Sequence, residues 1–156
     1  MPRPKQFRTL DVPQADSLPL IRRVVEAIHV GLKTVSSISE DTGFSERHVR
    51  YRLQAARILG FLSDEISLTA QGKRLVITNR GGSQEHRTFC DAVRSCDIAR
   101  LLAPGLLDEA EINSPAVAKR MERLFGLSPA TAERRTRVMR SWRRQLVGAT
   151  FETKDQ

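Results

Sequence analysis

Apolar residues Leu20, Ile21, Val24, Val25 and Ile28 recur at helical spacing behind Ser17, and Gly31 ends the run. Ser17 is an N-cap candidate with Pro19 in the first turn, so the pattern predicts a helix from there. A short helix over 35–41 follows, opened by Thr34. Gly43 then suits a left-handed cap, and Ser45 can cap a third helix from Glu46 to Leu59. Phe61-Leu62-Ser63 and Ile66-Ser67-Leu68 read as two short strands about Asp64-Glu65. Thr69 opens a helix from Ala70 to Ile77 that carries Lys73 and Arg74.

Asn79-Arg80-Gly81-Gly82-Ser83 has the composition of a linker. The half beyond it reads as helical throughout. Phe89, Val93 and Cys96 stripe a helix over 84–102, which Pro104-Gly105 breaks, and Leu106 and Leu107 suit a short connecting helix. Ser114-Pro115 and Ser128-Pro129 each read as a cap followed by proline at the first helical position. The helix from Ser128 runs to Val147, with Ala132, Met139, Trp142 and Leu146 inward and Arg134, Arg137, Ser141 and Arg144 outward. Trp142 is expected in the core. The division is an arm over 1–16, a domain over 17–80 and an α-helical domain over 84–150. In the arm, Pro2, Pro4 and Pro13 oppose a helix and predict an extended basic segment suited to phosphates or a minor groove.

The order of helix, short helix, glycine turn, basic helix and two strands resembles the winged helix-turn-helix superfamily over residues 17–78. Its most specific stretches are SISEDTGFSERHVRYRLQAARILGFL and ISLTAQGKRLV; LTAQGKRL is similar to the strand-to-helix exit of many prokaryotic winged-helix regulators. The expected fold is mainly α: a winged helix-turn-helix with a short two-stranded wing, then an all-α helical domain. The resemblance implies a recognition helix over 45–59 that enters a major groove.

The residues of that helix agree with the placement. Val49, Leu53 and Ala56 make one apolar face, while Arg47, Arg50, Gln54 and Arg57 make a second stripe. Arg can bridge guanine O6 and N7, and Gln can bridge adenine N6 and N7. Ser45, Glu46 and Arg47 would sit nearest the bases, with His48 and Arg52 to the side on phosphate. The wing tip Asp64-Glu65 is acidic and would be repelled, so Lys73 and Arg74 are the expected backbone contacts instead.

Charge sharpens this picture. The 156 residues hold 26 Lys plus Arg against 18 Asp plus Glu, a surplus of +8. Residues 114–147 hold nine Lys or Arg and two acids, whereas 83–113 hold three Arg and six acids. Such concentration is an electrostatic footprint for an acidic partner. Arg134, Arg137 and Arg144 join the candidate DNA-binding residues, and docking to an acidic protein is the other use of that stripe. Gly126-Leu127-Ser128 echoes Gly43-Phe44-Ser45, but the Arg stripe after it does not keep the same offset, so chance and repeat both stay open.

No membrane span or secretory leader is apparent, and two cysteines suit a reducing cytoplasm better than a disulfide framework. Cys90, Cys96 and His86 fall one ligand short of a metal site, and the cysteines read as buried thiols. There is no phosphate loop, Gly-x-Ser-x-Gly or His-Glu-x-x-His, so no catalytic residue, metal or cofactor is expected. Double-stranded DNA is preferred over single strands, because one Tyr and one Trp offer little stacking surface. The expected function is a cytoplasmic, homodimeric transcriptional regulator that can hold a protein partner through its C-terminal domain. The alternatives are an accessory DNA-recognition subunit of a restriction, defence or mobile-element system, and a protein-binding adaptor.

Overall fold

A computed structural model describes residues 8–148. Among them are eight helices: α1 (Leu18–His29), α2 (Val35–Thr42), α3 (Glu46–Ile58), α4 (Ala70–Val76), α5 (Ser83–Ser95), α6 (Asp97–Leu102), α7 (Ser114–Phe125) and α8 (Pro129–Leu146). Most begin where a short polar side chain can satisfy a free backbone N–H. Ser17 accepts from Leu20 N, Thr34 from Ser37 N, Ser45 from His48 N, Thr69 from Gly72 N and Ser128 from Thr131 N. At α7 the cap is Asn113, one residue before the expected Ser114, because its carboxamide reaches Ala116 N and leaves Pro115 in the first turn.

One hydrophobic cluster runs through both halves. Helix α1 packs on α2, α3 and α4, α4 on α5, and α7 on α8. Phe61 and Phe89 meet edge to face with centroids 5.6 Å apart, and Trp142 is fully buried as expected. The linker-like segment is pinned by Arg22, which is 3% exposed. Its Nη1 donates to Thr78 Oγ1 and pairs with Glu85, its Nη2 donates to the Thr78 carbonyl, and Glu85 also accepts from Gly81 N.

The expected winged helix-turn-helix with a two-stranded wing is not what forms. The described residues contain no strand; the wing is reduced to a single antiparallel bridge between Leu62 and Leu68. Ser63 and Ser67 close the turn between them through their hydroxyls at 2.8 Å, with Ile66 at φ +59°. Thr69 then caps α4 at once, and Gly72 lies so close to the Phe61 carbonyl that a Cβ would come within 2.1 Å of it. No chain remains on either side for a ladder. The fold is all-α.

Two other expectations change. The helix over 84–102 breaks at Cys96, whose ψ of 114° separates α5 from α6. Leu106 and Leu107 lie in turns, not in a helix, and both are buried. Of the arm, residues 1–7 lie outside the described residues, and 8–16 lie against the body instead of extending from it. A 3-10 turn (Thr9–Asp11) opens this part, and Val12 and Ala15 are buried. Trp142 Nε1 donates to the Ala15 carbonyl, Gln145 Nε2 to the Asp16 carbonyl, and Arg135 to the Thr9 carbonyl.

The two helix pairs α2–α3 and α7–α8 share one construction. Gly43 (φ 77°, ψ 3°) and Gly126 (φ 65°, ψ 24°) end the first helices in the left-handed region. Ser45 (φ −61°, ψ 151°) and Ser128 (φ −63°, ψ 154°) cap the second. Ile38 and Met121 hold equivalent buried places before the turns. Beyond the cap serines, Val49, Leu53 and Ala56 correspond in register to Ala132, Thr136 and Met139, and all six are buried.

Candidate nucleic-acid interface

The turn Gly43-Phe44-Ser45 sets the start of α3, and the inward face of Val49, Leu53 and Ala56 fixes its rotation. That rotation leaves Ser45, Glu46, Arg47, His48 and Arg50 exposed at the N-terminal end. Arg50 has no hydrogen-bond or ion-pair partner among the described residues. Arg47 donates through Nε to Tyr51 Oη at 2.9 Å and lies 5.4 Å from the Tyr51 ring centroid, which holds its guanidinium extended. Ser45 Oγ meets His48 Nδ1 at 3.1 Å.

The C-terminal half of the expected stripe is occupied. Gln54 donates to the Leu10 carbonyl and accepts from Arg57 Nε. Arg57 also pairs through Nη2 with Asp11 at 3.1 Å and through Nη1 with Asp64 at 3.0 Å. The arm thus covers Gln54 and Arg57, and the acidic turn neutralises what remains.

Arg52 turns away from the stripe onto the Phe44 ring, 4.1 Å from its centroid. There it enters a cleft of about 220 Å³ between α3 and α8. Arg47, His48, Tyr51 and Arg52 line one side, and Arg134, Arg135 and Val138 the other, with the Gln14-Ala15-Asp16 segment of the arm across it. Exposed Asp16 is the one carboxylate among these lining residues. Arg52 Nη1 and Arg135 Nε are buried and have no hydrogen-bond partner among the described residues. Burial lowers the pKa of Arg52, partly opposed by Asp16. Burial, then the charge of Arg134, lowers that of Arg135. Both guanidinium groups remain charged at neutral pH, since the ordinary pKa of arginine lies far above neutrality.

The other expected residues lie elsewhere. Lys73 and Arg74 are exposed on α4 and do not line this cleft. Arg137 pairs with Glu133 at 2.9 Å. Arg144 lines a separate depression with Arg140, Arg143 and Glu111. Sequence reasoning missed Tyr51 and Arg135. A signal existed: Arg52 and Arg135 each stand seven residues after a cap serine.

Comparison with family models, with curated proteins and with solved structures finds no match to this chain. Among the described residues no group of three His, Cys, Asp or Glu side chains is placed to hold a metal ion, and no helix is long and apolar enough to cross a membrane.

Proposed function

We propose that this chain is a cytoplasmic double-stranded DNA-binding protein, a transcriptional regulator that lays the N-terminal half of α3 in the major groove. The observation that carries the reading is the exposed end of α3, where Arg47 and Arg50 stand clear of intramolecular carboxylates beside a capped turn. Arg47 is braced by Tyr51 and so arrives with little side-chain freedom to lose. Arg50 is free to bridge a guanine edge. Gln54 and Arg57, already bonded to the arm and to Asp64, are not base readers in this state. The surplus of +8 supplies the attraction that is independent of sequence. A single short helix end reads few base pairs, so a homodimer on a two-fold site belongs to the proposal.

The test is fluorescence anisotropy on a random-sequence duplex of about 30 base pairs over a salt series. The native chain should bind with log K falling against log salt at a slope of about −4 to −8. Arg47→Ala/Arg50→Ala should weaken binding at least about tenfold with an unchanged melting temperature, because both side chains are exposed. Absence of binding at low salt, or an unaffected double variant, would defeat the reading.

A further inference from the structure

The cleft between α3 and α8 concentrates cations where folding alone gives no reason to place them. Four arginines and His48 line it against Asp16. Intramolecular demand explains only part of this. Arg47 is taken up by Tyr51, and Arg135 Nη1 by the Thr9 carbonyl. Arg52 Nη1 and Arg135 Nε are withdrawn from water yet unpaired, and leaving a buried donor unsatisfied is costly. Elsewhere carboxylates stand near the arginines: Arg22 Nε, also buried without a hydrogen bond, lies 3.8 Å from Glu26 Oε2, and the cleft beneath the arm, about 760 Å³, sets Arg57 against both Asp11 and Asp64. In the α3–α8 cleft four arginines face the single carboxylate of exposed Asp16, and neither buried nitrogen bonds to it.

The missing partner has a definable chemistry. It must be anionic, accept several hydrogen bonds at once and be compact. About 220 Å³ is below the roughly 300–1,000 Å³ of sites that enclose drug-sized ligands, so a single charged group fits and a whole nucleotide does not. A tetrahedral phosphate, whose oxygens accept from guanidinium donors on more than one side, meets all three requirements.

We infer that the cleft is a phosphate site, in which Arg52 of α3 and Arg135 of α8 hold one phosphate group between them while Arg47, His48 and Arg134 line its rim. The inference rests on the DNA-binding reading for the source of that group: a backbone phosphodiester beside the groove that α3 enters. The matching registers of the two helix pairs explain how the site arises. Each pair supplies one arginine at the same distance from its cap serine, and each brings one unpartnered nitrogen. Helix α8 thereby extends the footprint of α3.

The experiment compares the native chain, Arg134→Gln and Arg134→Gln/Arg135→Gln on the random-sequence duplex across salt. Arg134 is exposed and has no hydrogen-bond or ion-pair partner among the described residues, so the single variant tests charge without disturbing the fold. Loss of one phosphate contact should reduce the slope of log K against log salt by about one and weaken binding about tenfold in the double variant, with a smaller effect of the same sign in the single one. In parallel, thermal melting is followed in about 10 mM inorganic phosphate against chloride of equal ionic strength; occupancy of the cleft should raise the native melting temperature by about 3 °C and leave the double variant unmoved. A reduced slope identifies the phosphodiester. An unchanged slope with phosphate protection lost in the variant identifies free phosphate as the ligand. If neither changes while the native chain binds the duplex, the phosphate site is overturned and the α3 reading stands. If the native chain does not bind the duplex, the α3 reading falls, and the melting comparison alone decides the cleft.

Discussion

Under the proposed DNA-binding role of α3, replacing Asp11 and Asp64 with asparagine should free Arg57 for DNA while Gln54 stays bonded to the Leu10 carbonyl. The two carboxylates occupy both terminal nitrogens of Arg57 at 3.1 and 3.0 Å. Asparagine keeps the size of each side chain, and at position 11 its oxygen can still accept from Arg8 N, as Asp11 does. The cost in stability is small. The Arg57 side chain is 24% exposed, and its partners 18% and 87%, so the pairs fall in the range of about 0–1 kcal/mol each. The melting temperature should drop by no more than about 2–4 °C. The effect on DNA is larger. A carboxylate about 10 Å from a phosphate repels it by about 0.4 kcal/mol in water before screening, and several phosphates lie within reach of two carboxylates. The freed Arg57 adds one cation, worth a slope change of about −0.9. Together these predict about fivefold to tenfold tighter binding near 0.1 M salt and a steeper salt dependence, read by anisotropy on the random duplex. Unchanged affinity and slope in a variant whose melting temperature has moved would show that the C-terminal half of α3 does not face DNA.

Two further outcomes follow from the packing. Gly72→Ala should lower the melting temperature by about 3–6 °C, because the new methyl meets the Phe61 carbonyl carbon and oxygen and the overpacking of about 1–3 kcal/mol exceeds the gain in helix propensity; an unchanged or raised value would refute the close approach of α4. Cys90 and Cys96 are buried and free, and burial holds both thiol pKa values above the ordinary range. The fold therefore favours the protonated thiols: stability is fully present below about pH 8.5, where unfolded thiols begin to ionise, and falls as pH rises through and beyond that value. Melting between about pH 7.5 and 10 should show this decline, and Cys90→Ala/Cys96→Ala should flatten it; an equal decline in the variant would sink the argument.

Local signals were the legible ones. Cap serines and threonines, the glycine turns and the inward faces of α3 and α8 all act within a turn or two of chain, so a reader of sequence sees cause and effect together. The wing failed because short apolar pieces on either side of a turn look alike whether they form a ladder or one bridge; the length available is set by how closely Gly72 seats α4 on Phe61. The break at Cys96 was readable in principle. A single helix whose inner face holds Phe89 and Val93 would turn Ile98 and Leu102 outward by roughly half a turn, yet both are buried. Breaking the helix re-phases them toward the core. The cleft was invisible residue by residue. Arg47, His48, Arg52 and Arg134 each carried a signal, but nothing local says that α3 and α8 share a cleft, and Arg135 gains its meaning only there.

The arm that covers Gln54 and Arg57 is tied to α8 by hydrogen bonds spanning 126 to 129 residues. Contacts so remote in sequence are entropically the most expensive loops to close and so form late in folding. During synthesis at about 5–20 residues per second, the arm and α3 leave the ribosome on the order of ten seconds before α8 exists to hold the arm down. The newborn chain therefore carries Gln54 and Arg57 free of the arm, with Arg57 still able to pair with nearby Asp64, and the arm settles over them once α8 has formed. Covering of Gln54 and Arg57 by the arm is thus a late event in maturation, set by contacts that join the arm to a helix more than a hundred residues away.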